Sequence, residues 1–144
     1  MIRQAPAVMI HSMADARSTL APGLPVTLVS APGAALYSGA GWWVAMMTAA
    51  RSDHPGQLFD DILDCGDAPG RAAEALRAGQ RRLVLSAVLP VSWERIRLMA
   101  EALDAVLLPD MPEALDLAAP AARRRLLDWL AQGDVRGDKE GGFR

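Results

Sequence analysis

One cysteine, one lysine and two histidines are all that the 144 residues hold of the side chains that most often bind metals or form covalent intermediates. A lone Cys65 excludes an internal disulfide, and with His11 and His54 as the only imidazoles a structural zinc site lacks ligands. No metal and no cofactor is expected. The single lysine is Lys139, so 14 of the 15 basic residues are arginine. Arginine stays protonated and cannot form a Schiff base, which removes lysine-based aldolase chemistry. An ordinary P-loop needs a lysine directly after its glycine, and none stands there. A phospho-receiver domain would also want a lysine on its last strand.

Long apolar runs are missing as well. Nothing approaches the roughly 20 residues of a membrane helix, and the run Ala7 to Ile10 is stopped by His11 and Asp15, too soon for a signal peptide. Cytoplasmic residence without a membrane partner is the expectation. Excess positive charge is absent too: a net charge of −2 and a pI near 5.6 give no broad attraction to phosphate backbones, so no nucleic-acid partner is expected.

What the chain does have is a 51% apolar content with 22% charged residues, enough to build one sizeable core at the commonest domain length. The expected domain is 1–133, followed by a polar, glycine-rich flexible tail, 134–144.

Short apolar runs bounded by turn residues alternate with helical patterns, the signature of βα units and a mainly parallel sheet. Five strands are predicted: Ala7 to Ile10, Pro25 to Ser30, Asp61 to Cys65, Arg82 to Val88, and Ala105 to Leu108. Ser12 can cap a first short helix, and Asp15 can bond back to it. Further helices are predicted from about Gly41 to Ser52, and after Asp67 as cap until Gly79. Another follows Ser92, with Trp93, Ile96, Met99, Ala100 and Leu103 on one face. The last runs from Pro120 through Ala131, ended by Gly133. Strands apolar on both faces call for helices on both sides, hence an α/β class with a three-layer α/β/α sandwich. Flavodoxin-like order, 2-1-3-4-5, is the leading topology, with a piece of a (β/α) barrel second.

In such a sheet the usable site lies beyond the carboxyl ends of the strands. That places His11 and Ser12, Ser30, the segment Gly33 to Gly41, Asp64 to Asp67, Ser86 and Asp110 in one list. Gly33-Ala34-Ala35-Leu36-Tyr37-Ser38-Gly39-Ala40-Gly41 leads into a helix whose first N–H groups could hold a phosphate or carboxylate. Followed by Trp42-Trp43, it lacks the third small residue of the dinucleotide fingerprint. Ser30, Gly33, Tyr37, Ser38, Gly39, Gly41 and Asp67 are the ligand-binding candidates. The catalytic candidates are His11 as a base, Asp64, and Cys65 as a thiol beside a helix start. Each has a plainer role: a hydrogen-bonded helix-start residue, a strand-end acid, an apolar filler.

Two functional readings follow. One is a small-molecule-binding module, with an anionic or phosphorylated compound as the candidate ligand. The other is a non-catalytic interaction or scaffold protein that forms a homodimer through the Trp42 and Trp43 helix or the last helix, because that tryptophan helix is apolar nearly all round. Arg123-Arg124-Arg125 reads as a solvated helix face.

Overall fold

The computed structural model describes the backbone of residues 5–141 and the side chains of residues 5–133. Among these, six short apolar runs form strands: β1 (Ala7–Met9), β2 (Thr27–Val29), β3 (Asp60–Asp64), β4 (Arg82–Val84), β5 (Val106–Leu108) and β6 (Ala114–Asp116). Between and after them lie α1 (Met13–Leu20), α2 (Ala34–Tyr37), α3 (Gly39–Asp53), α4 (Pro69–Arg77), α5 (Pro90–Ala102) and α6 (Ala122–Gly141). The α/β class with a parallel sheet is therefore what the sequence indicates. Every strand pairing is parallel.

The strand order differs from the flavodoxin-like expectation. It is β5-β4-β3-β2-β1-β6, so the first five strands succeed one another in chain order and the sixth lies beside the first. Because the chain never reverses direction across the sheet, right-handed crossovers carry the helices to the same side each time. The packing agrees: the buried residues of all six helices, from Ala16 and Leu20 to Leu126 and Leu130, share one core with Val8, Leu28, Leu63 and Leu83. A three-layer sandwich is thus replaced by a single outer layer of helices.

The opposite face is apolar for another reason. Its residues, Ala7, Val29, Ile62 and Val84 with Met9, Leu108, Met111 and Ala114, pack against one another with no helix among them. In a flat sheet β5 and β6 would stand about 24 Å apart, five interstrand spacings. The connection 109–113 reaches at most about 21 Å fully extended, and it must also climb back from one end of the strands to the other. The sheet has to curl until its edges approach, and the curl encloses that second cluster. The architecture is a singly wound (β/α) barrel left unclosed, since β5 and β6 are not paired.

Several local expectations are also corrected. β6 occupies what the sequence suggests is a proline-broken loop, because three residues with one leucine carry little periodic signal. α2 turns much of the expected glycine loop into helix and brings the start of α3 forward to Gly39. The residue at the start of α4 is Ala68, not Asp67, and no side chain caps it. The backbone of α6 passes Gly133 and continues to Gly141. Gly133 serves close packing instead: a Cβ there would lie 2.6 Å from the Pro6 ring, so the helix can cross the start of β1 only with glycine at that point. The expected loose tail, 134–144, falls on residues whose side chains lie outside the description.

Candidate functional site

Alternation along the strands decides which side chains look into the barrel. Asp64 shares its parity with Ile62, and Asp116 with Ala114, so both carboxylates belong to the inner face at its carboxyl-terminal rim. Met9 has the same parity, and two residues on stands His11.

There the fold joins residues 105 positions apart: His11 Nε2 and Asp116 Oδ1 are 2.6 Å from each other. Both side chains are partly open to solvent, 33% and 42% exposed. The backbone holds each of them. The N–H of Ala118 donates to Asp116 Oδ1 at 2.9 Å, and the N–H of His11 donates to Asp15 Oδ2 at 2.9 Å. Asp15 is itself buried. Its backbone N–H donates to the Ser12 hydroxyl, which caps α1, while its other carboxylate oxygen accepts from Arg123 at 2.5 Å. The carboxylate thus serves the residue before the cap rather than the cap itself. Burial works against ionisation of Asp116, but the His11 hydrogen bond, the Ala118 N–H and the His11 charge together outweigh it and hold the carboxyl below its ordinary value. An ionised carboxylate only accepts hydrogen bonds, so Nε2 carries a hydrogen, and in the neutral ring the lone pair is then on Nδ1.

The other candidates sort into three groups. Ser30 is fully buried and committed inside the protein, accepting from Asp64 N–H at 2.9 Å and donating to Ala31 O at 3.1 Å. Asp64 is buried and takes the Gly66 N–H at 2.8 Å, which shapes the turn after β3. Gly33 and Gly66 approach closely in left-handed conformations: a Cβ on Gly66 would sit 3.2 Å from Leu36 and 3.9 Å from the Gly33 Cα. The Tyr37 ring lies over Gly33, yet 78% of the residue is exposed. Ser38, Gly39 and Gly41 stand at the α2–α3 junction, with open space around both glycines, and Asp67 is exposed in the turn before α4. The structure does not join these last four to the His11–Asp116 pair.

Cys65 points to the helix side and is fully buried; burial and then the neighbouring Asp64 charge push its thiol up to about 12. That is an unreactive filler, not a nucleophile. Sequence reading missed Asp116, Asp15 and Arg123 as a group, since no local pattern links a residue of β1 to one of β6. Two strained alanines mark the same rim: Ala87 after β4 and Ala121 before α6 have φ of 55° and 61°. Such conformations cost a residue with a Cβ about 1–2 kcal/mol.

The amino-terminal end of the sheet is built differently. Asp61 accepts from Trp43 Nε1 at 2.7 Å, Gln80 Nε2 at 2.8 Å and Arg51 at 2.7 Å. Two open cavities of about 320 and 560 Å³ flank this hub, sharing Arg51 and Asp60 in their walls. Among the described residues no three His, Cys, Asp or Glu side chains converge as metal ligands, and no helix is long and apolar enough to cross a membrane.

Compared with known proteins, the chain matches no family model and is similar in sequence to no curated protein.

Proposed function

We propose that this chain is a small-molecule-binding α/β module, working in the cytoplasm, whose site is the carboxyl-terminal rim of the curled sheet. The observation that carries it is the solvent-facing His11–Asp116 pair, pinned from behind by Asp15 and Arg123. In barrels and open parallel sheets alike, ligands meet the strands at this end. Ala87 and Ala121 hold left-handed backbone at this rim, while Asp104 does so at the opposite end, before β5.

The rim also bears on ligand charge. Asp64 and Asp116 end β3 and β6, and Asp67 and Asp110 follow β3 and β5, against one imidazole and the Arg123 guanidinium that Asp15 already pairs. An anion would meet those carboxylates, so a neutral or cationic polar ligand is favoured over the phosphorylated one that the glycine segment suggests.

A thermal-shift panel of neutral sugars, nucleosides, amines and sugar phosphates tests this. Stabilisation by a neutral or cationic compound, lost in Asp116→Ala, is the expected result. No stabilisation by any class would remove the binding reading, and stabilisation by phosphates alone would remove its charge argument.

One observation favours the second reading, a non-catalytic interaction protein that self-associates. Leu89, Val91 and Leu98 are exposed along α5, next to the unpaired edge of β5. The tryptophan helix is a weaker interface, because Trp43 is fully buried and Trp42 is only 39% exposed. Sedimentation that shows a monomer at high concentration would end this alternative.

A further inference from the structure

We propose that His11 is a general base, whose Nδ1 takes a proton from a neutral ligand held at the rim. The inference rests on the binding reading and adds chemistry to it. In the neutral imidazole Asp116 fixes the hydrogen on Nε2 and so leaves the lone pair on Nδ1, and the 2.6 Å contact stabilises the imidazolium that forms when Nδ1 is protonated. The pair is partly exposed, so a small molecule can reach the ring.

Neither partner has to be organised at the moment of reaction. The His11 main chain is tied to Asp15, Asp15 to Arg123, and Asp116 to the Ala118 N–H. Asp116 and Asp15 are positioning residues; only His11 would touch the ligand. The substrate class is a neutral compound with a C–H or O–H made acidic by a neighbouring electron-withdrawing group, since the rim carboxylates repel an anion and a free amine would itself compete with Nδ1 for the proton.

A nitro-substituted benzisoxazole tests the base without requiring a nucleophile or an oxyanion site. In its elimination the ring C–H proton passes to Nδ1, the C–H electron pair becomes part of the nitrile triple bond, and the N–O bond breaks to release a coloured phenolate. The imidazolium then returns its proton to solvent.

For the full-length protein, elimination above the buffer rate is expected to fall about tenfold or more in His11→Gln, and to be unchanged in His54→Gln. Asp116→Asn should lower it several-fold. Nitrogen NMR of the unaltered protein at mildly alkaline pH should show the hydrogen on Nε2, and a mixture of tautomers in Asp116→Asn, a change that loss of packing alone would not produce. Equal rates in the unaltered protein and His11→Gln would overturn the proposal. So would a hydrogen on Nδ1, a result that needs no variant to fold. If neutral ligands bind the rim while elimination ignores His11, the general base is lost and the binding module stands.

Discussion

At the amino-terminal end of the sheet, the carboxylate of Asp61 is 11% exposed and accepts from three side chains, two on α3 and one before β4. At the carboxyl-terminal end, Asp116 is 42% exposed and accepts from one imidazole and one backbone N–H. A largely covered acid that accepts from three side chains braces the fold, because its loss strands the Trp43 donor and weakens the hold on the other two. A half-exposed acid adds little to stability and leaves its partner open to solvent. The difference separates a braced end from an open one within the same six strands.

The sharpest way to break that contrast is Asp61→Ala. It leaves the Trp43 indole N–H without its acceptor, at about 1–3 kcal/mol, while Gln80 still donates to Arg82 O and Arg51 to Phe59 O. A loss of about 2 kcal/mol or more in urea denaturation is expected. A loss below about 1 kcal/mol would mean that the amino-terminal hub is not a brace.

Next in size are the strained alanines. Ala87→Gly and Ala121→Gly each remove the clash of a Cβ in the left-handed region, about 1–2 kcal/mol. They add roughly 0.4–1 kcal/mol of unfolded-chain entropy. Each variant should gain about 0.5–1 kcal/mol, read as a rise in melting temperature. A fall would show that these loops store no strain, and would weaken the distinction between the ends.

Smaller still is Asp116→Asn, with an expected change below about 1 kcal/mol at neutral pH, as for other exposed pairs. Its sign with pH is set by the lowered carboxyl. Stability from Asp116 is present above the ordinary aspartate range and is lost as pH falls through the folded-state value, so the variant and the parent should converge in acid. Divergence in acid would contradict that linkage. The least effect belongs to Cys65, whose buried, raised thiol should ignore Ellman's reagent in the native protein at mildly alkaline pH and react only on unfolding.

Much of the helical skeleton was legible. The apolar face of α5 holds Ile96 and Ala100 in the core, and its outer face carries Arg97 pairs with Glu94 and Glu101. Ser12 caps α1 as its position suggests. Trp43, Met46 and Met47 are buried, which accounts for most of the apolar excess on α3. Asp67 misled because an acid just before an alanine-rich helix is a strong capping signal, while the chain starts that helix one residue later. Gly133 misled because glycine marks both helix ends and close crossings, and a sequence does not show which neighbour is near.

For the candidate site, His11 was visible as the plausible base, and the rim as its location. Its partner was not, because β6 is too short to announce itself and lies at the far end of the chain. Strand parity, capping and the exclusion of lysine, zinc and disulfide chemistry are local or compositional properties, and the sequence by itself determined them. Strand order, the curl of the sheet, the Asp61 hub and the meeting of His11 with Asp116 depend on which distant segments share a surface. Only the tertiary structure decided these, since a short connection between β5 and β6 forces the edges together and carries the last strand back to the first.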